Sequence, residues 1–143
     1  MATAESIAPQ NGIDIALGDT KPSIFVCLTL AGVPVTGLTF ATAGLAIAYA
    51  LQSAVAVDIT PVTLAAITTA WAAGGFKEVD SVKFPGIYRI DLPVAVAANP
   101  GKVLVSVRST SATDPAYHHS TVKPTAITSN QTISDPNTVR TNA

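Results

Sequence analysis

The chain has 143 residues, of which 48% are hydrophobic and 12% are charged, and its formal net charge is -1. This length suits a single domain with a hydrophobic core, and the scattered basic residues exclude the clustered positive surface that nucleic-acid binding needs. Charged residues make up about 25% of an average soluble protein. Because a surface with so little charge tends to associate, we expect the protein to work as an oligomer or within an assembly.

The N-terminal half of the chain lacks the features of a signal peptide or a membrane span. Its first residues, "MATAESIAPQNGIDIALGD", have neither a basic region nor a continuous apolar run. The apolar stretch 38–56 is interrupted by polar residues, and its large side chains fall at every second position, which is typical of strands. We therefore expect a soluble protein. The segment "IDIAL" at 13–17 is interpreted as an edge strand or as an arm that pairs with a neighbour.

Alternating large apolar residues predict strands from residue 23 onward. In "SIFVCLTL" at 23–30, the even positions carry Ile, Val and Leu, and we interpret Cys27, the single cysteine, as a buried thiol. "AGVP" then predicts a turn, followed by a short strand or a continuation in "VTGLTF". "LAIAYAL" at 45–51 and "VAVDI" at 55–59 predict a hairpin with an alanine face that another element or subunit would cover.

The apolar period changes in "TPVTLAAITTAWAAGG" at 60–75. Thr60 is a good N-cap, a proline follows in the first turn, and Gly74 and Gly75 are typical of a helix C-terminus. The residues at helical spacing are Leu64, Ile67 and Trp71. The pattern therefore predicts one short crossover helix over about 61–73.

The second half of the chain predicts further strands. "GGFKEVDSVKFPGIYRIDLP" at 74–93 indicates two strands joined by a tight turn at Pro85 and Gly86, with Gly86 at positive φ. "GKVLVSVRST" predicts a strand with its valines inside, and "AYHHSTV" a last strand. From residue 123 onward the chain is polar and contains prolines, so it has no core of its own to bury.

About seven short strands and one crossover helix predict an all-β fold, specifically an antiparallel β-sandwich. The predicted division is an N-terminal arm at 1–20, a β-sandwich domain at 21–122 and an extended C-terminal arm at 123–143. We expect both arms to be disordered in a free monomer and to bind neighbours in an assembly. The predicted core comprises Ile47, Tyr49, Trp71, Tyr88, Ile90, Leu92, Val103, Val105 and Val107.

The sequence contains no pattern of residues that is specific to a chemical reaction. Glu78 and Asp80 would share a strand face, as two catalytic carboxylates must, but any solvated strand face has the same spacing. His118 and His119 would point to opposite faces of a strand and cannot jointly bind one metal. The glycines match neither a dinucleotide fingerprint nor a phosphate loop. We therefore predict no catalytic, cofactor-binding or metal site and no enzyme activity.

One family resemblance covers residues 22–110. The stretch "GGFKEVD" followed by "FPGIYRIDLP" is similar to a motif of immunoglobulin-like modules in tailed-bacteriophage virion proteins, in which Glu-Val-Asp precedes Pro-Gly-x-Tyr and a strand that ends in Leu-Pro. Phe84 stands where methionine is frequent in that family. The matching residues are Glu78, Val79, Asp80, Pro85, Gly86, Tyr88, Ile90, Leu92 and Pro93.

The resemblance implies that the fold is an immunoglobulin-like antiparallel β-sandwich. It also implies a structural virion protein that is made in the host cytoplasm and incorporated into the particle. Such a protein would decorate or cement the capsid, or form part of a head fibre, neck or tail, through contacts with major capsid, neck or tail proteins. It would bind no cofactor, nucleic acid or membrane, and it would form a homo-oligomer. The alternatives are a receptor- or carbohydrate-binding module of a tail fibre, with Tyr117 as the exposed aromatic, and a small hydrolase with Glu78 and Asp80.

Overall fold

The computed structural model describes residues 13–124, which form eleven strands and one short 3-10 helix at Val94–Ala97. This part of the chain is mostly β, as the sequence predicts. The strands are β1 (Ile13–Ala16), β2 (Ser23–Cys27), β3 (Thr29–Leu30), β4 (Val33–Pro34), β5 (Ala46–Leu51), β6 (Val57–Ile59), β7 (Val62–Thr63), β8 (Gly75–Asp80), β9 (Phe84–Asp91), β10 (Gly101–Arg108) and β11 (Ala116–Lys123).

The strands form one five-stranded sheet, one four-stranded sheet and a small hairpin. The five-stranded sheet has the order β1-β11-β10-β5-β6, the four-stranded sheet has the order β2-β9-β8-β7, and β3 pairs with β4. The pairs β1–β11 and β7–β8 are parallel, and the other pairs are antiparallel. The "IDIAL" segment thus supplies an edge strand to the sheet of its own chain. Residues 1–12 and 125–143 of the predicted arms lie outside the described residues.

The two larger sheets contribute to one hydrophobic cluster. Buried side chains alternate with more exposed ones along β2, β10 and β11, most clearly in β10, where Val103, Val105 and Val107 are buried. Phe76 and Tyr88 stack at the centre with their ring centroids 5.0 Å apart. Eight of the nine predicted core residues are buried. Trp71 is half-buried, because its indole Nε1 donates a hydrogen bond to the Pro22 carbonyl oxygen at 2.9 Å at the margin of the core.

The helix predicted over 61–73 is wrong. Residues 62–63 form β7, which pairs in parallel with β8, and the chain from 64 to 73 consists of turns. The backbone of this loop makes hydrogen bonds with side chains of β9. The guanidinium of Arg89 donates to the carbonyl oxygens of Ile67 and Thr69, and the Ala72 N–H donates to Asp91. These tertiary hydrogen bonds replace the bonds of a helix, since six of residues 60–69 are β-branched and disfavour a helix.

The turn predicted at Pro85 and Gly86 lies elsewhere. Both residues belong to β9, and the β8–β9 turn is formed by residues 81–83, with the Asp80 carboxylate accepting hydrogen bonds from the N–H groups of Val82 and Lys83. An aspartate that binds the backbone two residues onward is a common turn former. Gly86 does have a positive φ of 83°, as predicted. A Cβ there would lie 2.9 Å from the Leu28 carbonyl oxygen.

Cys27 is exposed, so the prediction of a buried thiol is wrong. In β2 the buried residues are Ile24 and Val26, and Cys27 lies with Phe25 on the opposite face of the strand. No second sheet of the described chain covers that face. The alternating pattern alone does not indicate whether a small apolar residue such as Cys27 faces the core or the solvent. The predicted hairpin of β5 and β6 is confirmed by their antiparallel pairing.

Candidate functional site

Within the strands described above, the outer face of the five-stranded sheet is an uncovered surface whose centre carries no charged side chain. We use the name outer face for the side chains that point away from the core on β5, β10 and β11: Ala46, Ala48, Ala50, Leu104, Ser106, Tyr117 and His119. Tyr117 is 64% exposed and Leu104 is 37% exposed. The alanine face predicted from "LAIAYAL" is therefore present, and no other element of the described chain covers it.

The register of the three strands arranges the outer face in rows. Ser106 lies between Ala48 on β5 and Tyr117 on β11, and Leu104 lies between Ala50 and His119. Two shallow depressions flank Leu104, one next to Tyr117 and one next to His119. Small side chains on β5 and larger ones on β10 and β11 give the outer face a stepped shape, which a flat partner would not fill.

Charged side chains surround the outer face. Lys102 and Arg108 mark the two ends of β10, and Asp58 lies on β6 directly opposite Ala48. On β1, Asp14 forms an exposed ion pair with Lys123, with an oxygen–nitrogen distance of 3.2 Å. An exposed ion pair of this kind contributes little to stability. The surface thus has an apolar centre and a polar border, the usual composition of a protein–protein interface.

Glu78 and Asp80 have separate hydrogen-bond partners in the structure. The β8–β9 register is irregular between them, and each carboxylate binds its own backbone segment. Two backbone N–H donors, from Lys83 and Val82, lower the pKa of Asp80. Glu78 Oε1 accepts a hydrogen bond from the Gly37 N–H at 2.9 Å, so the expected solvated carboxylate instead holds the 35–40 segment.

A third depression lies beside Glu78, between β8 and the 37–40 segment. Glu78 Oε2 is buried there without a hydrogen-bond partner within the described chain. The Tyr88 hydroxyl, in register with Glu78, donates to the Val35 carbonyl oxygen at 2.8 Å and accepts from the Leu38 N–H at 3.1 Å. Burial is the main cause that raises the pKa of Tyr88. These bonds make the depression part of the scaffold that fixes residues 35–38.

The two histidines lie on opposite faces of β11, as predicted. His118 is buried and its Nε2 is 3.0 Å from Ser120 Oγ, whereas His119 belongs to the outer face. Burial, and to a smaller degree the neighbouring His119, lowers the pKa of His118. Within residues 13–124, no group of three or more His, Cys, Asp and Glu side chains is placed to hold a metal ion.

A buried ion pair joins β9 to the 64–73 loop. Arg89 donates from Nε and Nη2 to the two carboxylate oxygens of Asp91, at 2.8 and 2.6 Å. Asp91 is fully buried and Arg89 has a side chain that is 13% exposed. The bond to Asp91 raises the pKa of Arg89 above its already high ordinary value. The pair has a structural role, because its remaining donors and acceptors bind the backbone of the loop rather than an open cleft.

Comparison with protein-family models, curated proteins and solved structures gave no match to the chain. None of the helical segments in the described part of the chain is long and apolar enough to span a membrane.

Proposed function

We propose that this chain is a structural virion protein that acts through protein–protein contacts, as a capsid decoration or cement protein or as part of a head fibre, neck or tail. The main support for a role in protein–protein contacts is the outer face. It is an uncovered sheet surface of alanines, Leu104 and Tyr117 with a polar border. The virion assignment depends on the sequence resemblance around "KEVD" and "FPGIYRIDLP".

We also propose that the fold is an immunoglobulin-like sandwich. In that fold, strands B, E and D lie in one sheet, and strands G, F, C and C′ lie in the other. Here the order β2-β9-β8 matches B-E-D, and β11-β10-β5-β6 matches G-F-C-C′. The same order holds along the chain, from β2 as strand B to β11 as strand G. The shared hydrophobic cluster supports face-to-face packing of these sheets.

A carbohydrate-binding tail-fibre module is the second candidate, because the ring of Tyr117 is exposed on the outer face beside His119. Exposed aromatic rings stack on sugars, and the polar tip of the ring keeps one end solvated. A glycan array distinguishes the two functions. Saturable glycan binding that is lost in Tyr117→Ala, with particle composition unchanged, would favour the tail-fibre module.

The test of the virion role uses particles of the phage that encodes the chain, grown with and without its gene. We expect purified wild-type particles to contain many copies, and we expect added protein to rebind particles that lack it. Tyr117→Lys should reduce rebinding, since it places a charge in the apolar centre of the outer face. Val82→Lys, in the exposed β8–β9 turn, is the matched control. Particles without the protein, or equal rebinding by the two variants, would contradict the proposal.

A further inference from the structure

The outer face has a stepped shape and a charge pattern that fit a copy of itself. We propose that it binds the outer face of a second copy of this chain, with a two-fold axis that runs parallel to the strands between β5 and β10. This inference depends only on the register of β5, β6, β10 and β11 and on the exposure of their side chains. It does not depend on the virion assignment, but a second copy would occupy the surface to which the contact role is assigned, so self-association and particle binding compete for the outer face.

Large side chains of the outer face in one copy can pack on small side chains in the other. In each copy, Leu104 on β10 lies beside Ala50 on β5, and Ser106 lies beside Ala48. A two-fold axis between the two strands places β10 of one copy over β5 of the other at the same level. Each Leu104 then meets Ala50 of the second copy, and the two sheets can approach to the about 10 Å of packed sheets.

The charged residues of β10 disfavour two alternative axes. An axis along β10 would place Arg108 opposite Arg108 of the second copy and Lys102 opposite Lys102. An axis across the strands at the level of Val105 would place Lys102 opposite Arg108. Both arrangements bring like charges together in a desolvated contact, which is unfavourable.

The axis between β5 and β10 avoids placing these like charges directly opposite each other. Arg108 then faces Ala46 of the second copy, because the two residues are register partners within one chain. By the same rule, the row that contains Asp58, Ala48, Ser106 and Tyr117 is reversed in the second copy. Tyr117 of each copy therefore lies opposite Asp58 of the other, where its hydroxyl can donate to a carboxylate.

The size of the sheet indicates the strength of the contact. With this axis β1 has no partner strand, so the contact is limited to β11, β10, β5 and β6. At about 3.3 Å per residue and 4.8 Å between strands, these four strands cover at most about 400 Å² in each copy. Two copies together then bury at most about 800 Å² of flat area, below the about 1,200 Å² of a standard interface. We therefore expect a weak, concentration-dependent dimer rather than a permanent one, so the test needs a concentration series.

Sedimentation equilibrium of the full chain, from about 1 to 500 µM, is the first test; this range covers weak affinities. We expect the weight-average mass to rise from 14.6 kDa toward twice that value. Leu104→Lys and Ala50→Glu should each weaken dimerisation at least about tenfold, because each buries an unpaired charge at the centre of the contact. Val82→Lys adds the same charge at a site that is 87% exposed and should leave dimerisation unchanged.

Mixing the two disrupted variants tests the axis itself. In a mixed dimer, Glu at position 50 of one chain faces Lys at position 104 of the other, and the second Leu104–Ala50 contact is unchanged. The mixture should therefore dimerise at concentrations at which each variant alone is monomeric. Thermal melts should show that both variants fold, since both positions point away from the core.

Three results would overturn the inference. The wild-type chain could remain at 14.6 kDa over the whole range. Leu104→Lys could dimerise as well as Val82→Lys, which would place the contact on another surface. The mixture of Leu104→Lys and Ala50→Glu could stay monomeric while each variant is folded, which would exclude the proposed axis.

Discussion

Removing the carboxylate of Asp91 should destabilise the protein more than any change to an exposed charge. Asp91 is fully buried and accepts hydrogen bonds from Arg89 and from the Ala72 N–H. In Asp91→Ala the guanidinium loses its counter-charge in a site that is 13% exposed. Breaking a buried ion pair from one side costs about 3–5 kcal/mol. For a chain of this length we expect the melting temperature to fall by roughly 10–20 °C.

A double-mutant cycle separates the ion pair from the rest of the environment. Arg89→Ala, Asp91→Ala and the double variant are compared by chemical denaturation. The double variant should be less destabilised than the sum of the single variants, since it leaves no uncompensated charge. Asp58→Ala, an exposed aspartate of β6, is the matched control and should change stability by less than about 0.5 kcal/mol. A loss in Asp91→Ala as small as that of the control would refute the reasoning.

Three further predictions concern the hydroxyl of Tyr88, the pH dependence of stability and the C-terminal tail. Tyr88→Phe keeps the stacked ring but leaves the Val35 carbonyl and the Leu38 N–H without a partner, so denaturation should show a loss of about 1–3 kcal/mol; an unchanged midpoint would contradict this. The pKa of His118 is lowered below its unfolded value of 6.5, so the unfolded chain binds more protons, and stability should fall as pH decreases from above 6.5 toward the folded pKa. His118→Gln should flatten the dependence of the melting temperature on pH in this range, and His119→Gln should change it less, because His119 is the smaller cause of the lowered pKa. Deletion of 125–143 should leave the melting temperature unchanged while reducing incorporation into particles; full incorporation would show that the tail is passive.

Strands with large β-branched residues at every second position could be predicted from the sequence. The valines of β10 are the clearest case, because an alternating pattern with a polar turn before it has few other interpretations. The alanine face of β5 was also predictable, since small residues opposite Ile47 and Tyr49 mark a side without a core. Both depend on local pattern alone.

The 64–73 loop could not be predicted, because its conformation depends on residues about 20 positions away. Its helical spacing of Leu64, Ile67 and Trp71 is real, yet Arg89 and Asp91 bind the loop backbone in place of helical hydrogen bonds. The sequence did contain one signal. Arg89 and Asp91 alternate with the buried Tyr88, Ile90 and Leu92 on a central strand, where charged side chains need a covering partner.

The positions of Glu78 and Cys27 show the limit of alternation. Neither spacing nor composition indicates that a register irregularity separates Glu78 from Asp80, or that the Gly37 N–H binds Glu78. The side of β2 on which Cys27 lies follows from which sheet packs against it, and that is a tertiary property. The local sequence pattern is a better predictor of where a strand lies than of which face of that strand is buried.

The most direct test of the virion role is a difference map from electron cryomicroscopy of particles with and without this chain. We predict ordered extra density of 14.6 kDa units at repeated positions on the capsid, neck or tail, into which the two sheets of residues 13–124 fit. Identical maps from the two preparations, together with protein that remains unattached in the lysate, would contradict the account.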